Sequence, residues 1–282
     1  TVFEENSPFQ NFSQVNDSIV KGPGVADMKG GNVIMLLALQ ALYDAKILND
    51  LNIEIVLSGE EESSGYPLNL AKKDLIEAAK WADYALGFED GDGLSTTAVV
   101  ARRGSCEWTL TVKGKAAHSS QIFTEQEGDG AVYEASRILN EFYNQLKSEE
   151  NLTISPGIIL GGNQVHYDSL KKEGSAYGKS NIVAQDCFVK GDLRCISTSQ
   201  LARAKAIMHA IVSKNLSKTT AILDFGDEGY PPMTFTEGNK KLLELYSQVS
   251  LDLGYGPETA VNPRDAGAAD ICFANDWVEM AL

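Results

Sequence analysis

An α/β domain with a mainly parallel sheet, interrupted by a smaller inserted α+β domain, is the fold class this sequence predicts. Two observations carry that expectation. Between Gly30 and Gly93, stretches with helical apolar spacing alternate with short β-rich runs, the pattern of strands buried under covering helices. Between Thr97 and Phe225 the order changes to β-α-β-β-α-β, that of the ferredoxin-like split unit, an open antiparallel sheet with two helices on one face.

Each element follows from its local pattern. "GGNVIMLLALQALYDAKIL" from Gly30 predicts a helix, and "NIEIVLSG" from Asn52 a short buried strand. "LNLAKKDLIEAAK" predicts a second amphipathic helix, and "ADYALGFEDGDG" a strand that ends in acidic and glycine residues. The insertion supplies strands in "TAVVARRGSCEWTLTVKGKAAHSS", "TISPGIILGG", "SNIVAQDCFVKGDLRCIS" and "TTAILDF", with helices in "GDGAVYEASRILNEFYNQLKSEE" and "SQLARAKAIMHAIVSKNLS". "GNKKLLELYSQVSLDLG" returns to a helix, and "RDAGAADICFA" to a Gly/Ala-rich turn. The predicted boundaries are 1–99 with 231–282 for the larger α/β domain and 100–230 for the insertion.

Composition narrows the function. The chain has 282 residues, 43% of them hydrophobic, enough for one large or two medium domains with real cores. Its formal net charge of -15 argues against nucleic acid as a partner, because phosphate binding needs a basic footprint. No uninterrupted apolar run reaches the length of a membrane span, so no membrane partner is expected. Cys106, Cys187, Cys195 and Cys272 form no Cys-x-x-Cys pair and read as core residues. Small molecules or peptides are the expected ligands.

Carboxylates concentrate where the predicted strands end: Asp27 in "GPGVADMKGG", Glu60, Glu61 and Glu62 in "SGEEESSG", and Glu89 in "GFEDGDG". In open α/β sheets ligands gather beyond the carboxyl ends of the strands. Like charges brought together there repel unless a cation neutralises them, so a metal site is one reading and a solvated acidic turn the other. Oxygen-only ligands suit hard cations, and zinc usually takes an imidazole or thiolate as well. The histidines, His118, His166 and His209, all fall in the insertion.

"GPGVADMKGG", "SGEEESSG", "GFED", "VKGKAAHSS" and "SNIVAQDCFVKGDLR", in this order, resemble the two-zinc aminoacylase and carboxypeptidase family. That family includes glutamate carboxypeptidase, acetylornithine deacetylase and succinyl-diaminopimelate desuccinylase. The resemblance implies a zinc-peptidase-like catalytic domain with an inserted lid and dimerisation domain. It implies that Asp27 bridges two zinc ions (or cobalt or manganese substitutes), with a cis peptide bond following it. Glu62 and Glu89 would each ligate one metal, and Glu61 would be the general base. It assigns His118 to polarising the scissile carbonyl in the partner of a homodimer, and Asn181 and Arg194 to binding the substrate.

The family's two further ligands are histidines, one just upstream of Thr1 and one beyond Leu282, so on this resemblance the sequence is a portion of a longer protein. The implied activity is hydrolysis of amide bonds in small peptides or N-acyl amino acids with a free carboxylate. The rival expectations are a non-catalytic relative or metal-depleted fragment serving as a binding or dimerisation module, and a carboxylate-pair glycosidase. Gly267 and Asp270 resemble a Gly-rich turn near the site, whereas Arg102 and Arg103 are expected to be surface charges. "DEGYPPM" offers no arginine of the kind glutamate-specific members present, and Ala184 stands where proline is frequent.

Overall fold

The computed structural model describes residues 6–7, 9–59, 61, 64–226 and 229–281. The chain divides into two compact units, Thr1–Arg102 with Met233–Leu282, and Arg103–Pro232.

The first unit opens with an antiparallel hairpin of β1 (Ser13–Asn16) and β2 (Ile19–Lys21). A turn over Val25–Gly30 leads into α1 (Gly31–Asp44), and within that turn Asp27, at φ -106° and ψ 98°, leaves helical geometry. By length and composition alone Val25–Asp44 could cross a membrane, with a hydropathy of 1.2. It carries Asp27, Lys29 and Asp44 and is broken at Asp27, so it reads as a helix of this unit.

The single helix expected over "LNLAKKDLIEAAK" is two, α2 (Leu68–Ala71) and α3 (Lys73–Trp81). The break falls at Lys72, with φ -99° and ψ 15°, whose buried ammonium lies 2.9 Å from Asp270 Oδ1. Two short strands, β3 (Tyr84–Ala85) and β4 (Thr97–Ala98), complete this part of the chain.

The second unit carries the predicted β-α-β-β-α-β order. It runs through β5 (Gly104–Lys113), the short β6 (Ala117–His118), α4 (Ala131–Leu146) and β7 (Thr153–Gly162). A hairpin of β8 (Gln164–Asp168) and β9 (Glu173–Tyr177) follows, which the sequence pattern did not predict. The unit ends with β10 (Ile182–Val183), β11 (Asp186–Cys195), α5 (Thr198–Val212) and β12 (Thr220–Phe225).

The antiparallel sheet has the order β12-β5-β11-β7. Burial alternates along β5 and β11, so Cys106, Trp108, Leu110 and Val112 share one face with Cys187, Val189, Leu193 and Cys195. That face forms one core with Ala135, Ile138 and Phe142 of α4 and Ala204 and Met208 of α5. Trp108 meets Phe142 edge to face at 5.8 Å, and Gly191 lies opposite Trp108. A Cβ at Gly191 would overlap the indole, so the sheet accommodates Trp108 only because that position lacks a side chain.

Back in the first unit come α6 (Glu237–Asp252), β13 (Thr259–Ala260) and β14 (Met280–Ala281). Parallel pairing is present as β3 with β14 and β4 with β13. The mixed α/β class therefore holds, but the strand expected over "NIEIVLSG" does not form. Residues 52–58 have no regular structure, and Ile53, Ile55 and Leu57 are exposed. A strand is stabilised by a ladder partner, and this stretch has none among the described residues. Among the described residues this unit has two small cores, Ala79, Met233, Ala269, Ile271, Cys272, Ala274, Val278 and Ala281, and Val99 with Val261 and Ala266.

Candidate metal centre and substrate cleft

The turn at Val25–Gly30 sets Asp27 ahead of α1, and Gly24, at φ 67°, takes the left-handed conformation that lets the chain enter it. The Asp27–Met28 peptide bond is cis, as the resemblance implies. Gly31, the first residue of α1, packs so closely on the Phe88 carbonyl that a Cβ would collide with it. That approach brings the loop after β3 alongside the Asp27 turn.

The electrostatics register this proximity. Burial raises the Glu89 carboxyl above the ordinary range, the Asp90 N–H it accepts at 3.1 Å opposes that, and the negative charges of Asp27 and Asp90 push it further up. Arg102 acts the other way. A carboxylate raised by a neighbouring carboxylate's charge forms with it an oxygen donor pair suited to a divalent cation. Of the predicted ligands, the structure therefore brings Asp27 and Glu89 together. Glu61 lies half-buried in the loop after residue 58, its carbonyl 3.5 Å from Ser64 Oγ, while Glu62 and Glu60 lie outside the described residues. Among the described residues no three His, Cys, Asp or Glu side chains gather as a metal-holding group.

In the second unit, β6 pairs with β10, setting His118 opposite Ile182 and next to Asn181, whose carbonyl accepts the Ser119 N–H at 2.9 Å. His118 Nδ1 accepts the Ser120 N–H at 3.2 Å and lies 2.9 Å from Ser120 Oγ. A neutral imidazole that accepts at Nδ1 carries its proton on Nε2, so the exposed His118 has an N–H free to donate. His118 and Asn181 line an open cleft of about 410 Å³ together with Asn163 and Lys179, and no carboxylate is among its lining residues.

Arg194 is placed elsewhere. It stands near the far end of β11, eight residues from Asp186, roughly 27 Å along the strand. There its Nε donates to Asp192 Oδ2 at 2.8 Å. Asn181 and Arg194 are thus not neighbours within this unit. Of the other histidines, His166 lies opposite Ser175 in the β8–β9 hairpin, and His209 meets the edge of Phe225 at 5.4 Å. The four cysteines are buried and free, and burial pushes the thiols of Cys187 and Cys195 up to about 11.

Asp270, close in sequence to Gly267, is held by the buried Lys72. Arg102, expected on the surface, is 5% exposed. The signal for Arg102 was present in "AVVA" directly before it, four residues that are all buried.

These features define a class: a two-unit α/β protein whose acidic turn lies alongside an acidic loop, with an inserted ferredoxin-like domain. Residues 100–220 match the peptidase dimerisation domain (M20_dimer). The chain is 25% identical over 254 residues to carboxypeptidase G2 of Pseudomonas sp. (strain RS-16), covering 90% of this chain and 56% of that protein. It is 28% identical over 184 residues to succinyl-diaminopimelate desuccinylase of Blochmanniella floridana, covering 64% of this chain and 46% of that protein. The chain thus spans about half the length of these curated relatives. Its fold is shared with aminopeptidase PepT from Bacillus cereus ATCC 10987, at a TM-score of 0.69 and 18% identity over 97% of this chain and 68% of that one. By these matches the chain resembles peptidases of the M20 family, with the family model itself confined to residues 100–220.

Proposed function

We propose that this chain is part of a metal-dependent hydrolase of amide or peptide bonds, acting on small peptides or N-acyl amino acids with a free carboxylate. The observation that carries the reading is the Asp27–Glu89 pair, two carboxylates brought together beside the start of α1, one of them raised by burial and by the other's charge. Asp27, Glu89 and Glu62 would hold two zinc ions. Such ions, when bound, acidify water and polarise a carbonyl.

The protein's own groups do the rest. Glu61 takes the proton of the attacking water and returns it to the leaving amine, the work of a carboxylate general base and acid. His118, with its proton on Nε2, donates to the carbonyl oxygen as negative charge develops there, serving the partner subunit of a homodimer. Support for the dimer comes from the dimerisation-domain match over the unit that carries His118. Lys179 and Asn181 make the cleft around His118 suited to an anionic substrate.

The test combines metal content by mass spectrometry with hydrolysis of a panel of N-acyl amino acids and dipeptides by wild type and Glu61→Ala. For the complete protein, about two zinc ions per chain, with turnover abolished in the variant, is the expected result. A complete protein that takes up no metal and hydrolyses nothing would instead be a binding or dimerisation module.

A further inference from the structure

Arg102 is the last residue of the first unit before the chain enters the second, and its backbone is fixed there. Its N–H donates to the Met233 carbonyl and its own carbonyl accepts the Met233 N–H, both at 2.9 Å. From that anchored position the side chain turns into the first unit, where the residue is 5% exposed. One guanidinium nitrogen donates to the Gly267 carbonyl at 3.0 Å and the other to the Asp90 carbonyl at 3.3 Å. Asp90 directly follows Glu89 and donates its own N–H to the Glu89 carboxylate.

The planar fork of arginine suits this arrangement. Two carbonyls from loops far apart in sequence are joined by two donors held rigidly in one plane, a geometry that the single ammonium of lysine does not reproduce. A loop tied only at its strand end could swing; this one is tied at the residue next to its candidate ligand.

We propose that Arg102 is a positioning residue for the metal centre: by clamping the Asp90 carbonyl to the Gly267 turn, it fixes the backbone from which Glu89 presents its carboxylate. This rests on the reading of Glu89 as a metal ligand. Groups that orient a ligand from behind typically matter about 10–100-fold in metal affinity when removed.

The experiment uses the full chain as wild type, Arg102→Met and Arg102→Lys, with Glu89→Gln as a control. Cobalt(II) is titrated by calorimetry, and backbone hydrogen exchange is followed by mass spectrometry over segments 88–92 and 265–269. Arg102→Met is expected to bind cobalt about 10–100-fold more weakly and to exchange faster in those two segments, with exchange in the second unit unchanged. Arg102→Lys should recover part of the affinity. Glu89→Gln should lose affinity without loosening segment 265–269.

Cobalt binding by Arg102→Met within twofold of wild type would overturn the positioning role while leaving the metal reading intact. Faster exchange throughout the first unit would overturn it too, by making Arg102 a general stabiliser. A wild-type chain that takes up no cobalt would refute the metal reading itself, and the inference with it.

Discussion

Gly191 shows how one residue decides a core. The indole of Trp108, fully buried, occupies the space in which a side chain at position 191 would lie, and Ser155 closes the other side. Gly191→Ala should therefore destabilise the second unit by about 1–3 kcal/mol, the cost of overpacking a well-filled core, read as a lower urea midpoint with unchanged slope. Cys187 and Cys195, each 1% exposed, make a second case at this scale. Their thiols, raised by burial to about 11 from the ordinary 9, hold their protons more tightly folded than unfolded. The sign follows: the contribution to stability is complete below about pH 9 and is lost as pH rises toward 11. The urea midpoint should fall across that window, and less steeply in a Cys187→Ala/Cys195→Ala variant. Native protein at pH 8 should resist iodoacetamide at both positions until it is unfolded, because the thiolate is the reactive form.

At the scale of elements, α6 is tied in by Asn239, which is 1% exposed. Thr236 caps the helix by accepting the Asn239 N–H at 3.1 Å. The Asn239 amide donates to the Val100 carbonyl at 2.9 Å, and its oxygen accepts the Ala281 N–H of β14 at 3.2 Å. Asn239→Ala leaves a buried carbonyl and a buried N–H without partners, and should cost about 2–4 kcal/mol in the unfolding of the first unit. Thr236→Ala removes the cap together with the hydroxyl's contacts to Asn239 Oδ1 and the Glu279 carbonyl, at 2.8 and 3.1 Å, and should cost about 1–2 kcal/mol. Chemical denaturation followed by circular dichroism would separate the two. The same scale explains the failed expectation at "NIEIVLSG". Its β-rich composition was legible, but a strand exists only where another strand accepts its hydrogen bonds, and composition does not specify that partner. The β8–β9 hairpin is the converse: a polar, weakly alternating stretch that pairs because Tyr167 stacks on Phe188 at 5.0 Å and the Asn163 N–H donates to the Tyr177 carbonyl.

For the whole molecule, the division into two units predicts that the second is autonomous. It contains a complete four-stranded sheet, two covering helices and one continuous core. Residues 103–232 expressed alone should fold cooperatively, with a single urea transition and dispersed amide resonances. If this unit is the dimerisation domain its sequence match describes, light scattering on that fragment should give twice the monomer mass. A monomer would remove the route by which His118 reaches a partner subunit.

The sequence by itself determined the class of the fold and the order of the inserted domain, because periodicity and burial alternation act over a few residues and leave their trace in the chain. It also located the acidic motifs, with Asp27 and Glu89 recognisable from the residues around them. Only the tertiary structure decided that Asp27 comes near enough for its charge to raise the Glu89 carboxyl, that Arg194 and Asn181 stand far apart along the chain's strands, and that Arg102 lies inside. The reason is physical. The packing of Gly31 on Phe88, the length of β11 and the turn of a guanidinium toward two carbonyls are contacts between residues far apart in sequence, and no local pattern encodes them.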